Sequence, residues 1–120
     1  FDTDNKFDLR FVASSNDLSA GDVVDIFTST VYRVYMLGFL PGFSYMGEVD
    51  ERIATPRKET PRTHVPAGSV GIAGRQTGIY SLASPGGWQI IGRTDVAMFT
   101  PHTDSPCYLR PGDSVSFVAI

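Results

Sequence analysis

Apolar and polar residues alternate at Phe7, Leu9 and Phe11, a period of two that predicts a short strand. The pattern then changes. Ser19 stands three residues before Asp22, the spacing of a capping box with Asp in place of the usual Glu. Val23, Val24 and Phe27 follow on one helical face, with Asp22 and Asp25 outward, so a helix is predicted over 19–29. From Val31 to Leu37 the run VYRVYML is aromatic and β-branched, apolar on both faces apart from Arg33. It is the strongest strand signal in the chain. Next comes GFLPGFSYMG, Gly38 to Gly47, with a Pro41-Gly42 turn between aromatic residues. An ordinary loop is more polar, so Phe39, Phe43 and Tyr45 are expected to pack on the core or to anchor a partner.

Further strands are predicted at 69–74, 78–83, 88–94, 95–99 and 114–120, separated by glycine- and proline-bearing turns at 74–78, 85–87 and 111–113. Many short strands at regular spacing point to a barrel or a sandwich. Gly71 and Gly92 fall inside strands, where glycine marks bending or close backbone approach. The class read from this pattern is all-β, with one or two short helices.

The stretch TPRKETPR, Thr55 to Arg62, repeats Thr-Pro-Arg at an offset of five. Proline removes amide donors and forbids helix, which makes this segment extended and places it at an edge or on the surface. Arg57, Lys58 and Arg62 are the densest positive cluster in a chain of net charge -3. That balance lacks the basic excess a nucleic-acid binder uses to displace counterions, so no nucleic-acid partner is expected. No apolar run approaches the ~20 residues that span a bilayer, and no signal-peptide pattern opens the chain; no membrane association is expected. A single cysteine, Cys107, excludes an internal disulfide and a cysteine-built zinc site. A free thiol fits a reducing compartment, here the cytoplasm. The 120 residues suit one domain. Because the first residue is Phe1 and not Met, the chain is expected to be part of a longer polypeptide.

No nucleophile elbow surrounds a serine, and no glycine-rich phosphate loop precedes a helix. Cys107 reads as a small buried residue at a strand entry and His102 as a solvated loop residue. No metal site is expected, because His64 and His102 lie 38 positions apart without supporting ligands. The cations carry more promise. Arginine forks match carboxylate and phosphate bidentately, so Arg57, Lys58 and Arg62 are candidates for anion recognition, with His64 beside them. Gln76, Tyr80, Trp88, Gln89 and Arg93 lie in or next to the later strands. Aromatic walls with a few polar groups line ligand pockets and interfaces, which makes these five candidate substrate- or partner-binding residues.

Taken together, GFLPGFSYMG, IATPRKETPRTHVPAGSVGIAGRQTGIY and SPGGWQIIGRT, with the closing Arg110-Pro111-Gly112-Asp113 turn, resemble the family of KipI, the B-type 5-oxoprolinase subunit and allophanate hydrolase subunit 1. The resemblance implies a cyclophilin-like closed β-barrel, residues 1–120 forming the C-terminal domain of a two-domain protein. It implies a partner related to KipA or to the C-type 5-oxoprolinase subunit, with a third subunit in the 5-oxoprolinase assembly. That assembly hydrolyses 5-oxoproline to glutamate with ATP, so ATP is expected at the level of the complex and not in this domain alone. A fused relative is the carboxyltransferase part of urea carboxylase. By analogy the TPRKETPR segment, His64, Gln76 and Tyr80 would line the face where substrate or partner sits; no catalytic residue is assigned.

Three functions follow from the resemblance. The favoured one is a non-autonomous subunit of an ATP-dependent 5-oxoprolinase. The alternative is a KipI-type module that inhibits a sensor histidine kinase, with Phe39, Phe43 and Tyr45 as anchors and the arginines as a polar rim. A prolyl isomerase is ranked last, since fold does not carry function and the sequence lacks the cyclophilin order of arginine, aromatic and histidine.

Overall fold

The structure, a computed structural model, describes residues 1–4 and 7–120. It begins with two helices, α1 (Leu9–Ser15) and α2 (Ala20–Thr28). The first replaces the strand expected at Phe7, Leu9 and Phe11. Leu9, Val12 and Ala13 are buried while Phe7 and Phe11 are exposed. Those three buried residues recur at helical spacing, and burying that stripe outweighs the alternation of two phenylalanines. The second helix follows its sequence signal. Ser19 Oγ accepts from the Asp22 amide at 3.0 Å, and Asp22 Oδ2 accepts from the Ser19 amide at 3.2 Å, satisfying two donors that a helix start leaves orphaned.

Six strands make one antiparallel sheet: β1 (Tyr32–Leu37), β2 (Ser44–Gly47), β4 (Ser69–Ala73), β5 (Gln76–Ile79), β7 (Gln89–Arg93) and β8 (Ser114–Val115). Their order is β7-β4-β5-β2-β1-β8. A separate two-stranded ladder joins β3 (Arg62–Val65) to β6 (Ser84–Gly86). Among the described residues the structure is therefore mostly β with two short helices, and its six-stranded ladder is open, not closed into a barrel. β8 pairs with β1 only through Tyr32↔Val115 and Arg33↔Ser114 and extends no ladder to β7. Between these two edges run the chain ends: Asp2 bridges Arg93, and the Ile120 amide donates to the Phe1 carbonyl at 3.2 Å.

Other strand boundaries also differ from the sequence pattern. Residues 95–99 form no strand, because Thr94 Oγ1 accepts from the Val96 amide and turns the chain out; only Phe99 retains a bridge, to half-buried Cys107. The strand expected over 114–120 stops at Val115, after which the chain leaves β1. The five-residue turn expected at 74–78 contracts, since Gly74 takes φ 61° and β5 starts at Gln76. Gly71 and Gly92 fulfil the expectation of close approach. A Cβ at Gly71 would lie 3.0 Å from Trp88 Cβ, and one at Gly92 only 2.8 Å from the Asp2 carbonyl oxygen.

The buried residues separate into two clusters. In the larger, Leu9, Val12, Val23 and Phe27 of the helices pack on Val34, Met46, Ile72 and Ile91 of the sheet. The smaller contains Phe43, Val65, Ala73, Tyr80, Trp88 and Ile90, and it underlies the candidate site.

Candidate functional site

The segment 55–62 leaves the sheet as an irregular wall. Thr55 is bridged to Gly74, and the Lys58 amide donates to the Gly87 carbonyl at 2.7 Å. Pro56 and Pro61 have no amide to give, so the wall cannot join the ladder at those points. One cleft opens on each side of it. The first, of about 400 Å³, lies between the wall and the smaller cluster, with Tyr45, Arg57, Tyr80, Gly86 and Trp88 around it. The second, of about 710 Å³, lies between the wall and α1, with Phe11, Asn16, Thr55 and Gln89 among its lining.

The first cleft is built on edge-to-face aromatic packing, the arrangement that ring quadrupoles favour. Phe43 is its centre, with ring centroids 5.0 Å from Tyr45, 5.2 Å from Tyr80 and 5.4 Å from both Trp88 and Phe39. Phe43 reaches this position because Gly42, at φ 79°, turns the chain back under the sheet. Of the three predicted anchors, Phe43 is fully buried, Tyr45 half-buried and Phe39 60% exposed.

The three cations have different environments. Lys58 Nζ lies 3.1 Å and an Arg62 terminal nitrogen 2.5 Å from Asp8 Oδ1, and the Arg62 guanidinium also covers the Phe7 ring at 4.8 Å. Asp8 is itself buried, and its Oδ2 accepts from the Ile90 amide at 2.8 Å. Two thirds of the predicted anion-binding cluster is thus committed to an internal carboxylate. Arg57 makes no ion pair among the described residues; its guanidinium stands 5.8 Å from the Trp88 ring centroid, a cation–π distance.

Tyr80 and Gln89 are buried beneath these groups. Gln89 Nε2 donates to the Pro56 carbonyl at 3.0 Å, tying β7 to the wall, and among the described residues its Oε1 has no partner. Among the described residues the Tyr80 hydroxyl likewise has no acceptor for its proton. Burial pushes its pKa upward, while a hydrogen bond from the Trp88 backbone to its oxygen and the Arg57 charge act in the opposite direction.

Arg57, Lys58, Tyr80, Trp88, Phe39 and Tyr45 are brought together around one cleft. Gln89 lies behind the wall, on the second cleft. Others stand apart: Gln76 opens β5 opposite Gly47 and Ala73, at the far end of that strand from Tyr80, and His64 is exposed on β3. Arg93 is exposed, with Nε donating to the Ala67 carbonyl at 3.0 Å. The sequence reading missed Asp8, whose partners lie 50 and 54 residues away, and Gly86, which it took for a turn residue.

Residues 1–109 match the family described as carboxyltransferase domain, subdomain C and D. The chain belongs to this family. Every residue around the two clefts falls within the part that matches the carboxyltransferase subdomain C and D family. Among its relatives is the B-type 5-oxoprolinase subunit of Bacillus subtilis, 56% identical over 113 residues, or 94% of this chain and 47% of that protein. The urea amidolyase of Saccharomyces cerevisiae is 32% identical over 93% of this chain and 6% of its own length. A solved structure of a conserved uncharacterized protein from Pyrococcus horikoshii superposes with a TM-score of 0.92 at 58% identity, covering 96% of this chain and 53% of that one. The chain spans about half the length of the B-type 5-oxoprolinase subunits that it matches.

Proposed function

We propose that this chain is part of a subunit of an ATP-dependent 5-oxoprolinase and that the aromatic cleft receives the 5-oxoproline. The observation that carries this reading is Arg57, a cation without an acidic partner laid against Trp88 at the mouth of a cleft of about 400 Å³. 5-Oxoproline is a small flat lactam with one carboxylate. Its carboxylate would pair with the Arg57 guanidinium, and its ring would lie against Trp88 and Tyr45. Relatives named as B-type 5-oxoprolinase subunits support the choice of substrate.

Hydrolysis of an unactivated lactam is slow, and ATP would activate the carbonyl for attack by water. The described residues do not fit a triphosphate: the cleft offers one uncommitted cation, and no glycine-rich loop leads from it into a helix N-terminus. ATP is therefore assigned to the complex, on a partner such as KipA or the C-type 5-oxoprolinase subunit, or on a third subunit. This chain would hold and orient the substrate while the other subunits supply phosphoryl transfer. The place of work is the cytoplasm; among the described residues no helix is long and apolar enough to cross a membrane. The kinase-inhibitor reading rests on exposed aromatic anchors, and of its three only Phe39 is well exposed.

The test is ATP-dependent release of glutamate from 5-oxoproline by the full-length protein with its neighbouring subunits. Losing a charge-assisted pair, Arg57→Ala should lower kcat/KM by roughly 10- to 100-fold, chiefly through KM. An unchanged KM would remove the substrate from this cleft. No activity in the complete mixture would end the 5-oxoprolinase reading.

A further inference from the structure

The Tyr80 side chain is fully buried, yet no described residue accepts the proton of its hydroxyl. A buried O–H without an acceptor destabilises a fold, and phenylalanine would fill the same space without that cost. The surroundings are arranged to keep the oxygen where it is. A Cβ on Gly86 would overlap Tyr80 Oη and stand 2.8 Å from Cζ. Only a residue without a side chain can lie against the phenol there. Gly86 lines the same cleft as Arg57 and Trp88. Phe43 and Phe39 meet the Tyr80 ring edge to face, at 5.2 and 6.3 Å, which fixes its plane.

The polarity of the site is equally defined. The Trp88 backbone and the Arg57 charge both act on the phenol oxygen as positive groups, and neither can accept its proton. What is missing is an acceptor. Arg57 supplies a positive charge at the mouth of the cleft and Tyr80 an O–H donor within it.

We infer that the cleft selects small ring carboxylates bearing a ring carbonyl, with Arg57 holding the carboxylate and the Tyr80 hydroxyl donating to the carbonyl. The inference rests on the reading of the cleft as the 5-oxoproline site and names the group that would distinguish a lactam from a plain ring acid. Tyr80 is enclosed, so the ligand reaches it by displacing a neighbour. Of its two edge-to-face partners Phe39 is the exposed one, at 60%, whereas Phe43 is fully buried. Discrimination of this kind is strong because a ligand without an acceptor leaves the buried donor unpaired.

The experiment is calorimetric binding, without ATP, of 5-oxoproline and of cyclopentanecarboxylate to the full-length protein assembled with its neighbouring subunits. The unaltered protein should bind 5-oxoproline about tenfold more tightly than cyclopentanecarboxylate, the effect of one buried hydrogen bond. In Tyr80→Phe that preference should fall to about twofold or less, with the affinity for cyclopentanecarboxylate unchanged. Gly86→Ala, which displaces the hydroxyl and keeps the phenol, should lose the preference too. Tyr80→Phe should keep the Tm of the unaltered protein to within a few degrees, so that a lost preference reads the hydroxyl and not the fold. A preference retained in Tyr80→Phe would overturn the inference, while leaving the site reading intact if Arg57→Ala weakens both acids. If Arg57→Ala weakens neither, or neither acid binds, the site reading fails and this inference with it.

Discussion

Two buried tyrosines show how differently one functional group can be used. Tyr32 packs between α2 and the sheet and donates its hydroxyl to the Phe27 carbonyl at 2.8 Å, closing a group that the end of α2 leaves open. Burial pushes its pKa up to about 12, with the Thr30 side chain opposing and the Asp50 charge adding to the rise. Tyr80 is raised by burial as well but has no such bond. For Tyr32 the consequence lies at alkaline pH. Below pH 10 the phenol is protonated in the folded and the unfolded chain and stability is at its full value. Between about 10 and 12 the unfolded chain releases the proton that the folded chain retains, so stability falls as pH rises, by about 2 kcal/mol across the window. Tyr32→Phe should cost about 1 kcal/mol near neutrality for the lost hydrogen bond and should flatten the decline above pH 10. Urea unfolding at a series of pH values reads both effects. Equal alkaline slopes in the two proteins would mean that another group controls the transition.

At the scale of elements, α2 is held by its reciprocal cap, and Ser19→Ala removes one half of it. The loss should be about 1 kcal/mol, measured as a lower urea midpoint with an unchanged slope; a shift within error would mean that water replaces the cap. This helix was legible in the sequence because its signals, a cap and an apolar stripe, are local. The β1 strand was legible for the same reason. In α1 the residues carry two periods at once: Phe7, Leu9 and Phe11 alternate, while Leu9, Val12 and Ala13 make a helical stripe, and tertiary burial selects the second. The β3–β6 ladder left little trace, since its partners Arg62↔Gly86 and Val65↔Ser84 are distant in sequence and proline and glycine occupy its second strand. The site divides in the same manner. The cation cluster and the aromatic residues were visible as a concentration of residue types. Which of the cations is available was not, because it depends on Asp8, half a chain away.

The whole molecule assigns stability and recognition to different regions. The helices and one face of the sheet form the larger apolar cluster, whereas the cleft stands on the smaller aromatic one. Asp8 joins them: it immediately precedes α1, accepts from the Ile90 amide of β7, and holds Lys58 and Arg62 of the wall. Arg57 is the next residue along that wall, so its place over Trp88 depends on the same carboxylate through the backbone. Asp8→Asn would leave two cations facing a neutral amide. Breaking a buried pair in this way costs about 3–5 kcal/mol. With Lys58 and Arg62 still 27% and 28% exposed, water would relieve part of that, and a loss of about 2–3 kcal/mol is expected. Because the wall loosens, the affinity for 5-oxoproline proposed for the cleft should fall by roughly tenfold as Arg57 leaves its position. Ser19→Ala is the control, since it destabilises the larger cluster's helix without touching the wall and should leave affinity unaltered. Unfolding and ligand titration on the two variants test the division directly. Equal weakening of binding in both would show that recognition follows global stability; weakening confined to Asp8→Asn would show that a buried carboxylate outside the cleft sets the position of Arg57.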